Sequence, residues 1–258
     1  MALDPPRAII ALVGTWLLCA PAQGLDPNYV PPAPTYRKYS NLHSEAIRQH
    51  VFNREGFSRI APPISTRAVN YSDSGADVAV EIRFFKVLKV EPQDGLMELK
   101  VWFRLEWRDE RLAWNISDFG GVTQTYYQCE NYPGQESNEI WIPDVQPYNA
   151  LAGTAVTLEP SVARVQNDGS VFLSRPGVLS IMCKFSGLVA FPFDELICPF
   201  ELGGWTYSGG QQGLSLRYGV GWAFSNQELT QGSSYQEYRI LEVDANSAIY
   251  EYDCCPSE

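Results

Sequence analysis

The pattern of apolar and polar residues first predicts a helix. From Ser40 onward, "SNLHSEAIRQHVF" has Ser40 as a candidate N-cap and Leu42, Ala46, Ile47 and Val51 as the apolar positions that we assign to one face. This pattern predicts a short amphipathic α-helix near the N-terminus.

After this helix the period of the pattern changes to two. The stretches "ADVAVEIRFFKVLKVE" and "LMELKVWFRLEW" alternate apolar and polar residues, which is typical of strands with one buried face. Gln93-Asp94-Gly95 between them predicts a turn. Short apolar runs broken by Gly, Pro, Asn or Asp follow, as in "GSVFLSRPGVLSIM" and "LICPFELGGWTY". The predicted fold is all-β, an antiparallel immunoglobulin-like β-sandwich of about ten strands with a short N-terminal α-helix.

The cysteine spacing separates this sandwich from a true immunoglobulin domain. Such a domain needs two cysteines many tens of residues apart on facing strands. The candidate pair here, Cys183 and Cys198, is separated by only 14 residues. The immunoglobulin disulfide is therefore excluded, although the sandwich architecture is not.

The N-terminus has the features of an export signal. Arg7 precedes the apolar run "AIIALVGTWLLCA", and Ala20-Pro21-Ala22 fits a cleavage site with small residues. We predict a signal peptide at 1–22, a proline-rich leader at 23–39 and one domain at 40–258, with an uncleaved anchor as the alternative for the first segment. No later stretch approaches 18 consecutive apolar residues.

Charge and composition narrow the class of function. The net charge of −11 and the absence of a basic run argue against nucleic acid or an anionic membrane surface as the main partner. An acidic surface attracts cations, but it is also an ordinary means of staying soluble. The chain has two histidines, no G-x-S-x-G motif and no metal-ligand cluster. We predict that it is not an enzyme and that it requires no cofactor and no metal.

Cysteines and sequons agree with an exported protein. After removal of the signal peptide five cysteines remain, so one thiol is left over. Asn70 and Asn115 begin N-x-S sequons and are predicted glycosylation sites.

The segment "CKFSGLVAFPFDELIC" is the most specific stretch of the chain. A bridge between its terminal cysteines would contribute about 3 kcal/mol by restricting the unfolded chain. Inside the loop lie Phe191, Pro192, Phe193 and Asp194, an apolar tip followed by a carboxylate. The tip could press against a neighbouring domain or a membrane surface, or the bridge could serve only to stabilise the fold.

This loop resembles the signature of the Cys-loop receptors, the pentameric ligand-gated ion channels of the nicotinic acetylcholine type. The family spacing is one residue shorter, and the extra residue falls before Phe191. Further segments are similar to the family in order and spacing over roughly residues 40 to 255, namely "VWFRLEWRDERLAWN", "IWIPDVQPYN", "GGWTY" and "YDCCP".

The resemblance implies a ligand site at the interface between subunits. Aromatic faces hold an ammonium group because the ring quadrupole is negative there. The implied ligand-binding residues of the principal subunit are Tyr148, Trp205, Tyr207 and Tyr252, with Cys254 and Cys255 as a vicinal disulfide that tips a hairpin over the agonist. Trp102 and Phe172 are implied on the neighbouring subunit, whereas Trp107, Trp114 and Trp141 are assigned to packing. Cys129 has no partner in the family pattern, so we expect either a free thiol or a link to another chain.

The complementary side of this site contains a residue that affects ligand choice. Arg164, and with it Ser174, falls near ligand-facing positions of the resembled family. An arginine there disfavours a cationic ligand, so an anionic or zwitterionic ligand remains open.

The resemblance also implies the role of the whole protein. We expect the extracellular ligand-binding domain of a pentameric channel subunit, a homo- or hetero-pentamer with like subunits, in which residues 191–194 pass ligand closure to membrane helices. The alternative is a soluble ligand-binding protein similar to acetylcholine-binding proteins. Because the family continues past the vicinal cysteines, we expect the sequence to be truncated. The full-length protein would then lie at the extracellular face of the plasma membrane, and a complete chain would be secreted.

Overall fold

The structure, a computed structural model, describes residues 35–63, 75–130, 136–185, 196–216, 220–222, 234–235, 238–239 and 244–250. The residues from Ser40 onward form one compact unit that contains all of the strands. Several predicted functional residues lie outside the described residues: Asn70, the loop tip Phe191 to Asp194, Tyr252, Cys254 and Cys255.

The N-terminal helix α1 spans Thr35–Phe52 and so begins before the predicted N-cap. Ile47 and Val51 are fully buried, because a spacing of four residues places both on one face of the helix. Leu42 is 61% exposed, so its assignment to this face was wrong. Its distance of five residues from Ile47 turns it about 140° away around the helix axis.

Arg48 in α1 and Arg54, two residues after its end, connect this region to the strands and turns beside it. Arg48 forms an ion pair with Glu139 and also donates to the carbonyl of Tyr126. Arg54 donates to the carbonyls of Arg111 at 2.9 Å and Ala113 at 2.6 Å. The helix therefore covers one end of the strand core.

The first hairpin agrees with the alternating pattern. Strand β1 spans Ala76–Glu91 and strand β2 spans Leu96–Arg108, and they pair antiparallel through a turn that ends at Gly95 with φ of 65°. That left-handed conformation favours glycine at the last position of the predicted turn. Every second residue of β2 from Leu99 to Trp107 is buried, and the residues between them are only half-buried. The hairpin prediction is confirmed.

The remaining elements complete the sheets. They are β3 (Gln124–Cys129), β4 (Gln146–Pro147), α2 (Thr154–Thr157), β5 (Ser161–Gln166), β6 (Ser170–Met182), β7 (Leu202–Gly203), β8 (Gln212–Ser215), β9 (Val220–Trp222), β10 (Ser234–Tyr235) and β11 (Tyr238–Arg239), with 3₁₀ turns at Glu110–Leu112 and Ile116–Phe119.

The strands form one large sheet and two small ones. The large sheet has the order β3-β5-β6-β2-β1-β8, with β9 also paired to β1, and the small sheets are β4-β7 and β10-β11. The predicted all-β, immunoglobulin-like sandwich with an N-terminal helix is confirmed. The pairings of β1 with β8 and β9 are parallel, whereas all of the other strand pairs are antiparallel. An alternating sequence reports which face of a strand is buried, not the direction of its neighbour.

Tryptophans form part of the core. Trp107 and Trp141 pack edge-to-face with ring centroids 6.1 Å apart, and both are at most 4% exposed. Trp114 is also buried, and its indole N–H donates to the carbonyl of Val122 at 2.8 Å. The assignment of these three residues to packing is confirmed.

Two features of the cysteines follow from the fold. A disulfide joins Cys183 and Cys198, with their Cα atoms 4.8 Å apart. Cys129 is a free thiol with no exposed surface, so the alternative of a link to another chain does not apply to this fold. Burial raises the pKa of the Cys129 thiol to about 12.

Among the residues that the structure describes, no helix combines the length and the apolar character that crossing a bilayer requires.

Candidate ligand-binding site

The side-chain rings of Tyr148 and Trp205 approach each other across the short β4–β7 sheet. These two strands are antiparallel and Gln146 pairs with Gly203, so Tyr148 follows β4 at one end of the sheet and Trp205 follows β7 at the other. Their ring centroids are 6.4 Å apart and the ring planes are inclined at 59°. This distance and inclination are those of an ordinary aromatic pair, and the outer faces of the two rings are not parallel.

The ring of Tyr148 is held in place by its polar end. Its hydroxyl donates to the carbonyl of Gly204 at 2.6 Å, and its backbone N–H donates to the carbonyl of Glu201 at 2.9 Å. The ring passes directly over Gly203, where an added Cβ would lie 2.5 Å from Cζ of Tyr148. Gly203 is therefore required by this close approach of ring and backbone.

A buried carboxylate holds the backbone around Trp205. Asp144 is fully buried, and its Oδ2 accepts hydrogen bonds from the backbone N–H groups of Trp205 at 3.1 Å and Thr206 at 2.6 Å. The main chain of Asp144 is held by the side-chain amide of Gln212, which accepts from the N–H at 2.8 Å and donates to the carbonyl at 2.7 Å. The loop that carries Trp205 is thus fixed before any ligand arrives.

The exposure of the pair distinguishes it from the core aromatics. Trp205 is 75% exposed and Tyr148 is 43% exposed, whereas Trp141, seven residues before Tyr148, has no exposed surface. Large aromatic residues are usually well buried. The exposed faces of this pair are available to a ligand or to another protein surface.

Tyr207 has a different environment. Its ring packs on Trp141 with centroids 6.1 Å apart, and its hydroxyl donates to the carbonyl of Ile60 at 3.0 Å. The structure therefore gives Tyr207 a packing role, and the ligand-binding role implied for it stays a prediction.

Trp102 and Phe172, the residues implied for the complementary side, lie on the outer face of the large sheet. Trp102 is on β2, and the guanidinium carbon of Arg104 lies 5.2 Å from the centre of its ring. Phe172 is on β6, and the guanidinium carbon of Arg164 lies 5.1 Å from its ring centre. Both rings are half-buried, and each is covered by a cation that belongs to the chain itself.

Sequence reasoning did not assign a role to the residues that support the pair. Asp144 stood in a recognised motif, which is a signal that could have identified it. Gln212 and Gly203 have no local signal, because their roles depend on partners that are distant in sequence.

The predicted glycosylation site at Asn115 is on the surface. The residue is exposed, and its side chain accepts a hydrogen bond from the N–H of Ser117 at 3.2 Å at the start of a 3₁₀ turn. Its glycosylation stays a prediction.

Comparisons with known proteins identify the family of the chain. The family described as the neurotransmitter-gated ion-channel ligand binding domain matches residues 58–258. The chain is 26% identical to the neuronal acetylcholine receptor subunit alpha-2 of Homo sapiens over 254 residues, which cover 93% of this chain and 44% of that protein. It is 27% identical to the acetylcholine receptor subunit alpha-L1 of Schistocerca gregaria over 205 residues, 77% of this chain and 34% of that protein.

A third relative gives the same result over a shorter range. The chain is 28% identical to the neuronal acetylcholine receptor subunit beta-4 of Gallus gallus over 163 residues, 63% of this chain and 32% of that protein. The chain spans less than half the length of these relatives. All three are named as receptor subunits rather than enzymes, as expected for this chain. The chain belongs to the neurotransmitter-gated ion-channel ligand binding domain family.

Proposed function

We propose that this chain is the extracellular ligand-binding domain of a pentameric ligand-gated channel subunit, and that it binds a small neurotransmitter-like ligand between like subunits. The observation that carries the proposal is the exposed pair of Tyr148 and Trp205, with ring centroids 6.4 Å apart. Membership of the receptor family and the disulfide between Cys183 and Cys198 support it.

The chemistry of the pair suits a ligand with an ammonium group. A cation over the face of Trp or Tyr is attracted by the ring quadrupole, with a contribution of about 2 kcal/mol or more when the contact is desolvated. Two inclined faces offer such contacts from two directions. The wall from Tyr252 and the vicinal cysteines, together with Trp102 and Phe172 of the neighbouring subunit, would complete the enclosure.

The hydrogen bonds that hold Tyr148 and Trp205 in place favour binding, because the ligand does not have to order the two rings. Asp144 fixes the backbone at Trp205, and Gly204 fixes the hydroxyl of Tyr148. A preorganised site loses less conformational entropy on binding than a mobile one. Ligand closure would then shift the population between closed and open forms of the whole receptor.

The remaining parts of the proposal concern the whole receptor. The signal peptide directs the chain into the secretory pathway, and the full-length protein lies at the extracellular face of the plasma membrane. The loop tip at residues 191–194 would contact membrane-spanning segments that transmit the motion to a pore.

The experiment measures binding to the assembled full-length chain by isothermal titration calorimetry with a panel of amines and amino acids. For any amine that binds, Trp205→Ala is expected to raise Kd about 30-fold, which corresponds to the loss of about 2 kcal/mol. Val156→Ala, at a position that is 82% exposed, is the control and should leave Kd unchanged. An unchanged Kd in the Trp205 variant would refute the proposal.

A further inference from the structure

Strand β3 lies at the end of the large sheet, so one of its two edges faces away from β5. In the part of the chain that the structure describes, no strand pairs with this outer edge. The N–H and C=O groups of successive residues in a strand point to opposite edges. The carbonyl of Gln128 accepts from outside the β3–β5 pair, so the backbone groups of Gln124, Tyr126 and Gln128 face the outer edge.

The composition of β3 favours pairing with another strand. Residues 122–128 read "VTQTYYQ" and contain no charged residue, no proline and no glycine. Segments of six or seven residues with high β-propensity and low net charge pair readily with copies of themselves. Edge strands are usually protected by a lysine, a proline, a bulge or a covering helix or loop. The register of β3 with β5 is regular, so no bulge turns this edge away from a partner.

Glu139 occupies the position of a partner residue at this edge. Its backbone N–H donates to the carbonyl of Gln128 at 3.0 Å, and its carboxylate Oε2 accepts from the N–H of Gln128 at 2.5 Å. Two residues that face each other in an antiparallel pair exchange the same two hydrogen bonds. A second strand therefore cannot pair with Gln128 while Glu139 holds it.

Arg48 of α1 extends this cover along the edge. Its guanidinium forms an ion pair with Oε1 of Glu139 and donates to the carbonyl of Tyr126. The guanidinium carbon also lies 4.9 Å from the centre of the Tyr127 ring. The two charged side chains are 24% and 30% exposed, and ion pairs that border on solvent contribute little to stability. The cover is therefore weak.

The helix itself does not seal the edge. A groove of about 480 Å³ lies between α1 and the ends of β3 and β5, and Tyr126, Gln128 and Val162 are part of its lining. Tyr126 is 48% exposed and Val162 is 54% exposed. Removal of the side chains of Arg48 and Glu139 would consequently open the edge to another strand.

We propose that the outer edge of β3 is a self-association site that Arg48 and Glu139 keep closed, and that its occupant is β3 of a second copy of this chain. Antiparallel pairing about a two-fold axis at Tyr126 places Gln124 opposite Gln128 of the second copy. No like charges meet in this arrangement, because the segment has none. The association is separate from the aromatic pair and does not depend on the proposed function.

The test measures the size of the assemblies that the full-length chain forms, by sedimentation velocity over a range of protein concentrations. The double variant Arg48→Ala with Glu139→Ala should associate beyond the wild-type size at a concentration at least about ten-fold lower than the wild type. Adding Tyr126→Lys places a charge at the two-fold axis and should reverse this association. A size equal to that of the wild type, or association that Tyr126→Lys does not reverse, overturns the proposal.

Arg54→Ala separates the opening of the edge from a general loss of stability. The hydrogen bonds of Arg54 to the carbonyls of Arg111 and Ala113 also attach the region of α1, but they do not involve β3. This variant should keep the wild-type size. Equal association of Arg54→Ala and the double variant would mean that any loosening of this region is sufficient, and the proposal would be wrong.

A milder variant keeps the test valid if the double variant does not fold. Glu139→Gln retains the size of the side chain but removes its charge, so the ion pair with Arg48 is lost. It should also associate at a lower concentration than the wild type, with an unchanged far-UV circular dichroism spectrum. A folded Glu139→Gln variant with the association of the wild type would count against the proposal.

Hydrogen exchange locates the contact. In the associated variant, the backbone amides of Gln124 and Tyr126 should exchange at least about ten-fold more slowly at high protein concentration than at low concentration, because each gains a partner in the second copy. Protection that appears elsewhere and not in β3 would place the contact on another surface and overturn the proposal.

Discussion

Gly203 offers a direct test of the geometry at the aromatic pair. In Gly203→Ala the new Cβ would lie 2.5 Å from Cζ of Tyr148, well inside a carbon–carbon contact distance of about 3.5–4.0 Å. The ring must therefore move by about 1 Å or more, which breaks the 2.6 Å hydrogen bond from its hydroxyl to Gly204. Overpacking costs about 1–3 kcal/mol and the lost hydrogen bond about 1 kcal/mol.

The effect on binding follows from the displaced ring. Removal of one ring face from a ligand ammonium is expected to cost about 1–2 kcal/mol, or roughly a 5- to 30-fold increase in Kd. The free energy of unfolding should fall by about 2–4 kcal/mol, the sum of the two structural costs. Titration calorimetry measures the change in Kd, and urea denaturation measures the change in the free energy of unfolding.

Gly209 provides the matched control. A Cβ at Gly209 meets no atom within 4 Å. Neither Gly209 nor Gly203 has a positive φ, so the folded backbone tolerates alanine at both positions. Both substitutions also restrict the unfolded chain to a similar extent, because each replaces glycine by alanine. Gly209→Ala should leave Kd unchanged and stability unchanged or slightly higher. Equal behaviour of the two variants would refute the account of how Tyr148 is positioned.

Two carboxylates give further predictions. Asp144→Ala leaves two backbone N–H groups of the Trp205 loop without their acceptor, so the free energy of unfolding measured in urea should fall by about 2–4 kcal/mol. Asp118→Ala removes an exposed carboxylate and should have little effect. Equal losses in the two variants would contradict the role of Asp144. The backbone N–H of Ser170, with its hydroxyl, lowers the pKa of Asp168 below the usual 3.8. Asp168 therefore adds stability above about pH 4, and this stability is lost as the pH falls through the pKa of the folded state. The difference in free energy of unfolding between wild type and Asp168→Asn should therefore shrink in acid. A difference that does not depend on pH would contradict this account.

Local features of the fold could be predicted from the sequence. The alternation in β1 and β2 and the turn at Gly95 all lie in the continuous stretch from Ala76 to Arg108, because a strand pattern and a turn are local properties of the sequence. Trp107 and Trp141 fall at positions whose burial the structure confirms. The prediction that Leu42 lies on the buried face of α1 was wrong because the angular position of this residue around the helix axis was not considered.

Long-range features could not be predicted in this way. The parallel pairing of β8 and β9 with β1 depends on the path of the intervening chain, about which an alternating pattern contains no information. The contact of Tyr148 with Trp205 joins residues 57 positions apart, and it was expected only from the family resemblance. The stacking of Arg164 on Phe172 was likewise not predicted from the sequence. The family resemblance had indicated only that Arg164 falls near ligand-facing positions.

The sealed thiol of Cys129 has a consequence for biogenesis. In an oxidising compartment, a thiol that is exposed in the unfolded chain can form a wrong disulfide. Cys129 ends β3, which pairs with β5, so closure of that strand pair withdraws the sulfur from oxidants and exchange partners. If the chain folds in such a compartment, slow pairing of β3 with β5 would leave this thiol open to incorrect disulfides.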